Sequence, residues 1–142
     1  MPVAVDIDAF LDHAIWYAVR AQRQVFAGLA PGACIGIVPR AVARREDGSM
    51  LLWQATDDGL ASRRACFAGF ARCDADMMFV VDDEAMAALD GMAPGEALAA
   101  LRRQVRRGTI VLYFLKCEGA LVALGYEGFL ETLGLTIMGA CR

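Results

Sequence analysis

The chain holds one histidine, one lysine and four prolines among 142 residues, and each scarcity closes off a kind of chemistry. With His13 as the sole histidine, a multi-histidine metal centre is excluded, and a Ser-His-Asp or Cys-His arrangement would have to be built on the first helix. The Walker phosphate loop and the G-x-S-x-G elbow are absent. Gly28, Gly32 and Gly36 fall at steps of four, but Pro31 interrupts them and no strand precedes them, so they are loop glycines rather than a dinucleotide fingerprint. Long hydrophobic runs are also missing. The apolar windows 109–115 and 119–125 are separated by Lys116 and Glu118, which are costly near a bilayer centre, so no transmembrane helix is expected. Positive charge is in deficit: the formal charge is -3 and the pI about 5.1, which argues against duplex nucleic acid as a partner.

The N-terminus runs Met1-Pro2-Val3-Ala4-Val5 and meets Asp6 and Asp8 at once, without the basic region and continuous apolar core of a secretory signal, so a cytoplasmic location is expected. Five cysteines (Cys34, Cys66, Cys73, Cys117, Cys141) are an odd set with no C-x-x-C spacing, expected as buried or half-buried free thiols. Cys117, beside Lys116, is the best candidate for a reactive thiol, because the ammonium would favour the thiolate. Thirteen of the fourteen basic residues are arginine, which together with abundant alanine resembles the usage of a GC-rich bacterial genome.

Apolar surface is what the chain has in surplus. Hydrophobic residues make up 58% and mean hydropathy is +0.43, against roughly 45–50% apolar in an average soluble domain. A single domain over 1–142 buries about two thirds of its unfolded surface, and the remainder of so apolar a chain calls for a partner subunit or a ligand.

The pattern along the chain sets the expected elements. Ile7, Phe10, Leu11, Ala14, Ile15, Ala18, Ala21 and Val25 recur on one helix face, predicting one long amphipathic helix over 6–29, stopped by Gly28 and Pro31. A strand is expected over 34–38, continuing over 41–45 after Pro39. A tight hairpin at Glu46-Asp47-Gly48-Ser49 then leads into 50–56, since Gly accepts positive φ at no steric cost. Asp57-Asp58-Gly59 repeats that turn signal, and the segment 60–71 after it reads as a strand, although Phe67 and Phe70 also suit a helix face. A strand over 77–81 follows, then a short helix over 84–89 capped by Asp82 or Asp83 and ended by Gly91. A further helix opens at Pro94 and ends before Gly108, with Leu98, Leu101 and Val105 on one face. The run 109–115, apolar on both sides, is expected in the middle of the sheet. From Gly119 onward two short helices are predicted.

Candidate chemistry is thin. Asp74, Asp76, Asp82, Asp83 and Glu84 flank the 77–81 strand and are read as turn and cap residues, since the later ligands of a calcium loop are missing. Arg102 with Arg106 and Arg103 with Arg107 stand at i, i+4 and repel unless an anion lies between, which makes Arg103 and Arg107 the candidate anion contacts. Clustered methionines suit an adaptable apolar pocket or ordinary core filling.

The segment Asp74-Ala75-Asp76-Met77-Met78-Phe79-Val80-Val81, then Asp82-Asp83-Glu84-Ala85-Met86-Ala87-Ala88-Leu89-Asp90-Gly91, resembles that of sterol-carrier-protein-2-type domains, in which an acidic pair leads through a strand into a short helix ending near Gly. Met92-Ala93-Pro94-Gly95-Glu96-Ala97-Leu98 and Gly108-Thr109-Ile110-Val111 resemble its continuation. The resemblance implies an N-terminal helix, antiparallel strands and apolar C-terminal helices around a lipid tunnel.

The expectation is an α+β fold with a mostly antiparallel sheet of four to six strands, packed against the N-terminal helix and the C-terminal helices. The expected function is non-enzymatic binding of an apolar small molecule or lipid in a pocket lined by Met77, Phe79, Met86, Leu101, Tyr113, Leu121 and Phe129. No catalytic residue, metal or cofactor is assigned. The alternative is a homodimeric structural or regulatory module without a ligand, and thiol or carboxylate chemistry is a third reading.

Overall fold

Two apolar runs, Cys-Ile-Gly-Ile-Val-Pro and Met-Met-Phe-Val-Val, determine the architecture, because segments apolar on both sides can only settle where both faces are covered. In a computed structural model, which describes residues 7–135, they are β1 (Cys34–Pro39) and β4 (Met77–Val81), and every residue of both is buried. They pair in parallel, Ile35 opposite Met77 and Pro39 opposite Val81. β2 (Gly48–Thr56), β3 (Gly59–Phe67) and β5 (Ile110–Phe114) add antiparallel neighbours, giving the order β3-β2-β1-β4-β5. The result is the expected α+β fold with an open, mostly antiparallel sheet.

Alternation along the strands divides the core. Ile35, Ile37, Leu51, Trp53, Met77, Phe79, Val81 and Ile110 face the helical layer. Cys34, Val38, Met50, Leu52, Met78 and Val80 face the other way. The helical layer comprises α1 (Ile7–Leu11), α2 (Ala14–Arg20), α3 (Arg23–Phe26), α5 (Asp83–Leu89), α6 (Ala97–Arg107), α7 (Glu118–Ala123) and α8 (Tyr126–Thr132). The second face is covered by α4 (Arg40–Arg45), through Val42, and by the chain around Phe70, Cys73 and Ala75.

Several expectations are corrected. The single first helix is three short ones. At the first break His13 turns to an extended conformation and its ring accepts the Ile15 N–H at 3.1 Å, a side-chain cap. The Trp16 indole donates to the Phe10 carbonyl at 2.9 Å, satisfying an acceptor near the end of α1. The breaks let Phe10, Ile15, Trp16, Val19, Val25 and Phe26 all point inward, which one straight helix over a twisted sheet would not allow. Residues 41–45 are helical rather than a continued strand: Pro39, the last residue of β1, lacks an N–H to carry the ladder onward and is also the N-cap of α4. Glu46 and Asp47 join that helix to β2, which begins at Gly48, so no hairpin forms there. The tight hairpin lies at the second turn signal, Asp57-Asp58, between the paired Thr56 and Gly59.

β5 is an edge strand, not the central one. Its burial is incomplete and Tyr113 is exposed, because an apolar run records what its side chains tolerate, not how many neighbours its backbone acquires. The strand predicted over 60–71 ends at Phe67, followed by a short 3-10 turn over Phe70–Arg72. The strand at 77–81, the short helix ahead of Gly91, the helix ended by Gly108 and the paired C-terminal helices occur where the pattern placed them.

Candidate ligand site

A cleft of about 340 Å³ opens between the α1–α2 junction and α5, lined by Ala9, Phe10, His13, Asp83, Met86, Ala87 and Asp90. Phe10 belongs both to the cleft and to the core, and Met86 packs against the same core from the α5 side. Both helices are short and bring one large apolar residue each to the gap. The polar groups converge at the rim: His13 Nε2 lies 3.2 Å from Asp90 Oδ1. Because Nδ1 accepts the Ile15 N–H, a neutral ring carries its proton on Nε2 and donates it to Asp90. The histidine is fixed from both sides, by a helix cap and by a carboxylate on the neighbouring element.

The predicted lining residues Met77, Phe79, Leu101, Leu121 and Phe129 are brought together in the core to which Phe10 also belongs, each no more than 2% exposed. Phe129 meets Phe79 edge-on at 6.2 Å and stacks with Phe26 at 5.3 Å, so these side chains fill the space between sheet and helices by contact with one another. Met86 alone of the seven lies on the cleft. Tyr113 projects to the opposite face of the sheet, where it packs with Phe70 at 5.0 Å.

Arg103 and Arg107 are exposed on α6, and Arg107 stands 3.6 Å from Glu84. A carboxylate of the chain therefore already neighbours one of the two. Among the described residues no group of three or more His, Cys, Asp and Glu is placed to hold a metal ion. Cys141 lies outside the described residues. Cys66 and Cys117 are exposed, Cys73 is half-buried and Cys34 is buried, none in a disulfide.

One buried polar cluster had no signal in the sequence. Asp76, 5% exposed, accepts from the Tyr126 hydroxyl at 2.7 Å and from the Cys34 N–H at 2.8 Å. Its own backbone bridges β1 and the end of β5, through Cys34 O and Leu115 N. Burial pushes the Cys34 thiol up from 9.0 to about 11, with the Asp76 carboxylate adding to the shift. Burial, then the Asp76 hydrogen bond and charge, push the Tyr126 phenol up as well. A thiol held protonated is a poor nucleophile, so the cluster ties β1, β4 and α8 together rather than offering a reactive group. The pattern around Asp76 predicts only a turn residue, because its partner Tyr126 lies fifty positions away, beyond any local pattern.

No protein-family model and no curated protein matches the chain. Two solved structures align along most of it. One, described as "UbiJ-SCP2 Ubiquinone synthesis protein", is 11% identical, with 90% of this chain and 92% of that one covered and a TM-score of 0.43. The other, a conserved hypothetical protein, possibly a sterol carrier protein, from Thermus thermophilus, is 13% identical, with 92% of both chains covered and a TM-score of 0.40.

Proposed function

We propose that the protein binds a small apolar molecule with one polar end, without catalysis, at the cleft between the α1–α2 junction and α5. The observation that carries this reading is the cleft itself: about 340 Å³, within the size range of small-molecule sites, with an apolar floor and a few convergent polar groups. Phe10 and Met86 would take the apolar part, and the His13–Asp90 pair would orient a hydroxyl or carbonyl. Met77, Phe79, Leu101, Leu121 and Phe129 belong to the same core cluster as Phe10, and a longer ligand would have to part that core. No helix among the described residues is long and apolar enough to cross a membrane. A cytoplasmic protein without nucleic-acid partners completes the proposal, in keeping with the net charge of -3.

The test is displacement of a fluorescent fatty acid, with native mass spectrometry of the purified chain. Binding is expected to be saturable and to weaken at least tenfold in Met86→Glu, with a smaller loss in His13→Ala. A chain that carries and takes up no lipid, or that binds equally well as Met86→Glu, would overturn the proposal.

A second reading, self-association, is favoured by β5. This edge strand borders a groove of about 270 Å³ lined by Val105, Gly108, Ile110, Val111, Leu112, Phe114 and Leu135, and an apolar edge is a template for a second copy. Sedimentation at falling concentration decides it: a dimer that Leu112→Lys dissociates supports this reading, and a monomer at every concentration rejects it.

A further inference from the structure

The second face of the sheet carries its own depression, of about 220 Å³, lined by Arg40, Ala43, Arg44, Phe70, Val80 and Tyr113. Arg40 and Arg44 stand one turn apart on α4, so both guanidiniums reach the same side and repel each other. Arg40 is paired with Asp82 Oδ2 at 2.9 Å. Arg44 has no ion pair among the described residues. Across from them Tyr113 leans on Phe70 with ring planes 37° apart, and Phe70 meets Phe67 edge-on at 5.3 Å. Tyr113 is 45% exposed and lines the same depression as Arg44.

These two features ask for one ligand chemistry. A further aromatic ring can pack on the exposed part of Tyr113, beside its tilted contact with Phe70, and a planar carboxylate matches the guanidinium fork of Arg44. Size narrows the choice, since a cavity of roughly 150 Å³ holds a benzene molecule. At about 220 Å³ the depression accommodates one ring with its carboxylate. We infer that this depression binds a small single-ring aromatic carboxylate, its anionic group on Arg44 and its ring against Tyr113 and Phe70. The site lies across the sheet from the His13 cleft and stands independently of it.

NMR titration of the whole chain with sodium benzoate, sodium acetate and benzyl alcohol tests the inference. Benzoate is expected to give saturable amide shifts around Arg44, Phe70 and Tyr113 and to bind at least tenfold more tightly than either half-molecule. Arg44→Gln and Tyr113→Ser should each weaken it at least fivefold, with Arg44→Lys in between. If Tyr113→Ser fails to fold, Arg44→Gln, an exposed helix position, decides alone. The inference is overturned if benzoate causes no saturable shift, if acetate binds as well, or if affinity survives Arg44→Gln.

Discussion

The two faces of the sheet are covered in different ways. Among the described residues, one meets seven helical segments and holds the larger core, with Trp16, Trp53, Phe79, Tyr126 and Phe129 almost wholly enclosed. The other meets one short helix and an irregular stretch of chain, and its core is small and sulfur-rich: Cys34, Met50 and Met78, with the Cys73 thiol 3.9 Å from the Met50 sulfur. The difference teaches where adaptability lies. Interlocked aromatics fix positions closely, whereas unbranched thioethers refit when a neighbour changes.

Two glycine substitutions should expose this contrast most sharply. Gly125, at φ +84°, joins α7 to α8, and a Cβ there would collide with the backbone carbonyl of Gly28. Neither backbone can yield without moving a helix, so Gly125→Ala is expected to cost more than about 4 kcal/mol or abolish folding. On the other face, a Cβ on Gly36 would meet the Met78 sulfur, the far end of a flexible side chain. Gly36→Ala should cost only about 1–3 kcal/mol. Urea denaturation of both variants checks the ordering, and equal losses would remove the contrast.

The Asp76 cluster sits where the two cores meet. Asp76→Ala leaves the Tyr126 hydroxyl and the Cys34 N–H buried without their acceptor, for a loss of roughly 4 kcal/mol. Tyr126→Phe removes one donor while Cys34 N–H still binds the carboxylate, and should cost about half as much in the same measurement.

A smaller effect follows from Cys34. Its folded pKa is raised from 9.0 to about 11, so below pH 9 the thiol is protonated in both states and native stability is intact. Above pH 9 the unfolded chain ionises first, and stability falls until about pH 11, by roughly 2–3 kcal/mol at most. The raised Tyr126 phenol acts in the same direction at higher pH. Denaturation midpoints measured across this window should decline in the parent chain and decline less in Cys34→Ala, a residual slope remaining from Tyr126.

Local chemistry was legible wherever a single segment carries it. The run at 77–81 became β4, Pro94 opened a helical turn and Gly108, at φ +79°, ended α6. Apolar periodicity correctly marked Phe10, Ile15 and Val25 as inward residues, but could not show that the helix carrying them breaks at His13. The break depends on a ring nitrogen capping Ile15 and on the shape of the sheet beneath, neither of which is a property of the repeat. Met77, Phe79, Leu101, Leu121 and Phe129 are buried in one core, because burial follows from their chemistry. Tyr113 went to the other face because parity along β5 depends on its register with β4, which places Tyr113 opposite Met78.

By composition and pattern alone, the chain was committed to an α+β domain with its strands at 34–38 and 77–81 and an apolar excess needing cover, since side-chain transfer from water and backbone preference act residue by residue. Strand order, the parallel pairing of β1 with β4, the edge position of β5 and the meeting of Asp76 with Tyr126 were decided only in three dimensions. Those features depend on which distant segments become neighbours, and that is set by the joint packing of all the elements rather than by any one of them.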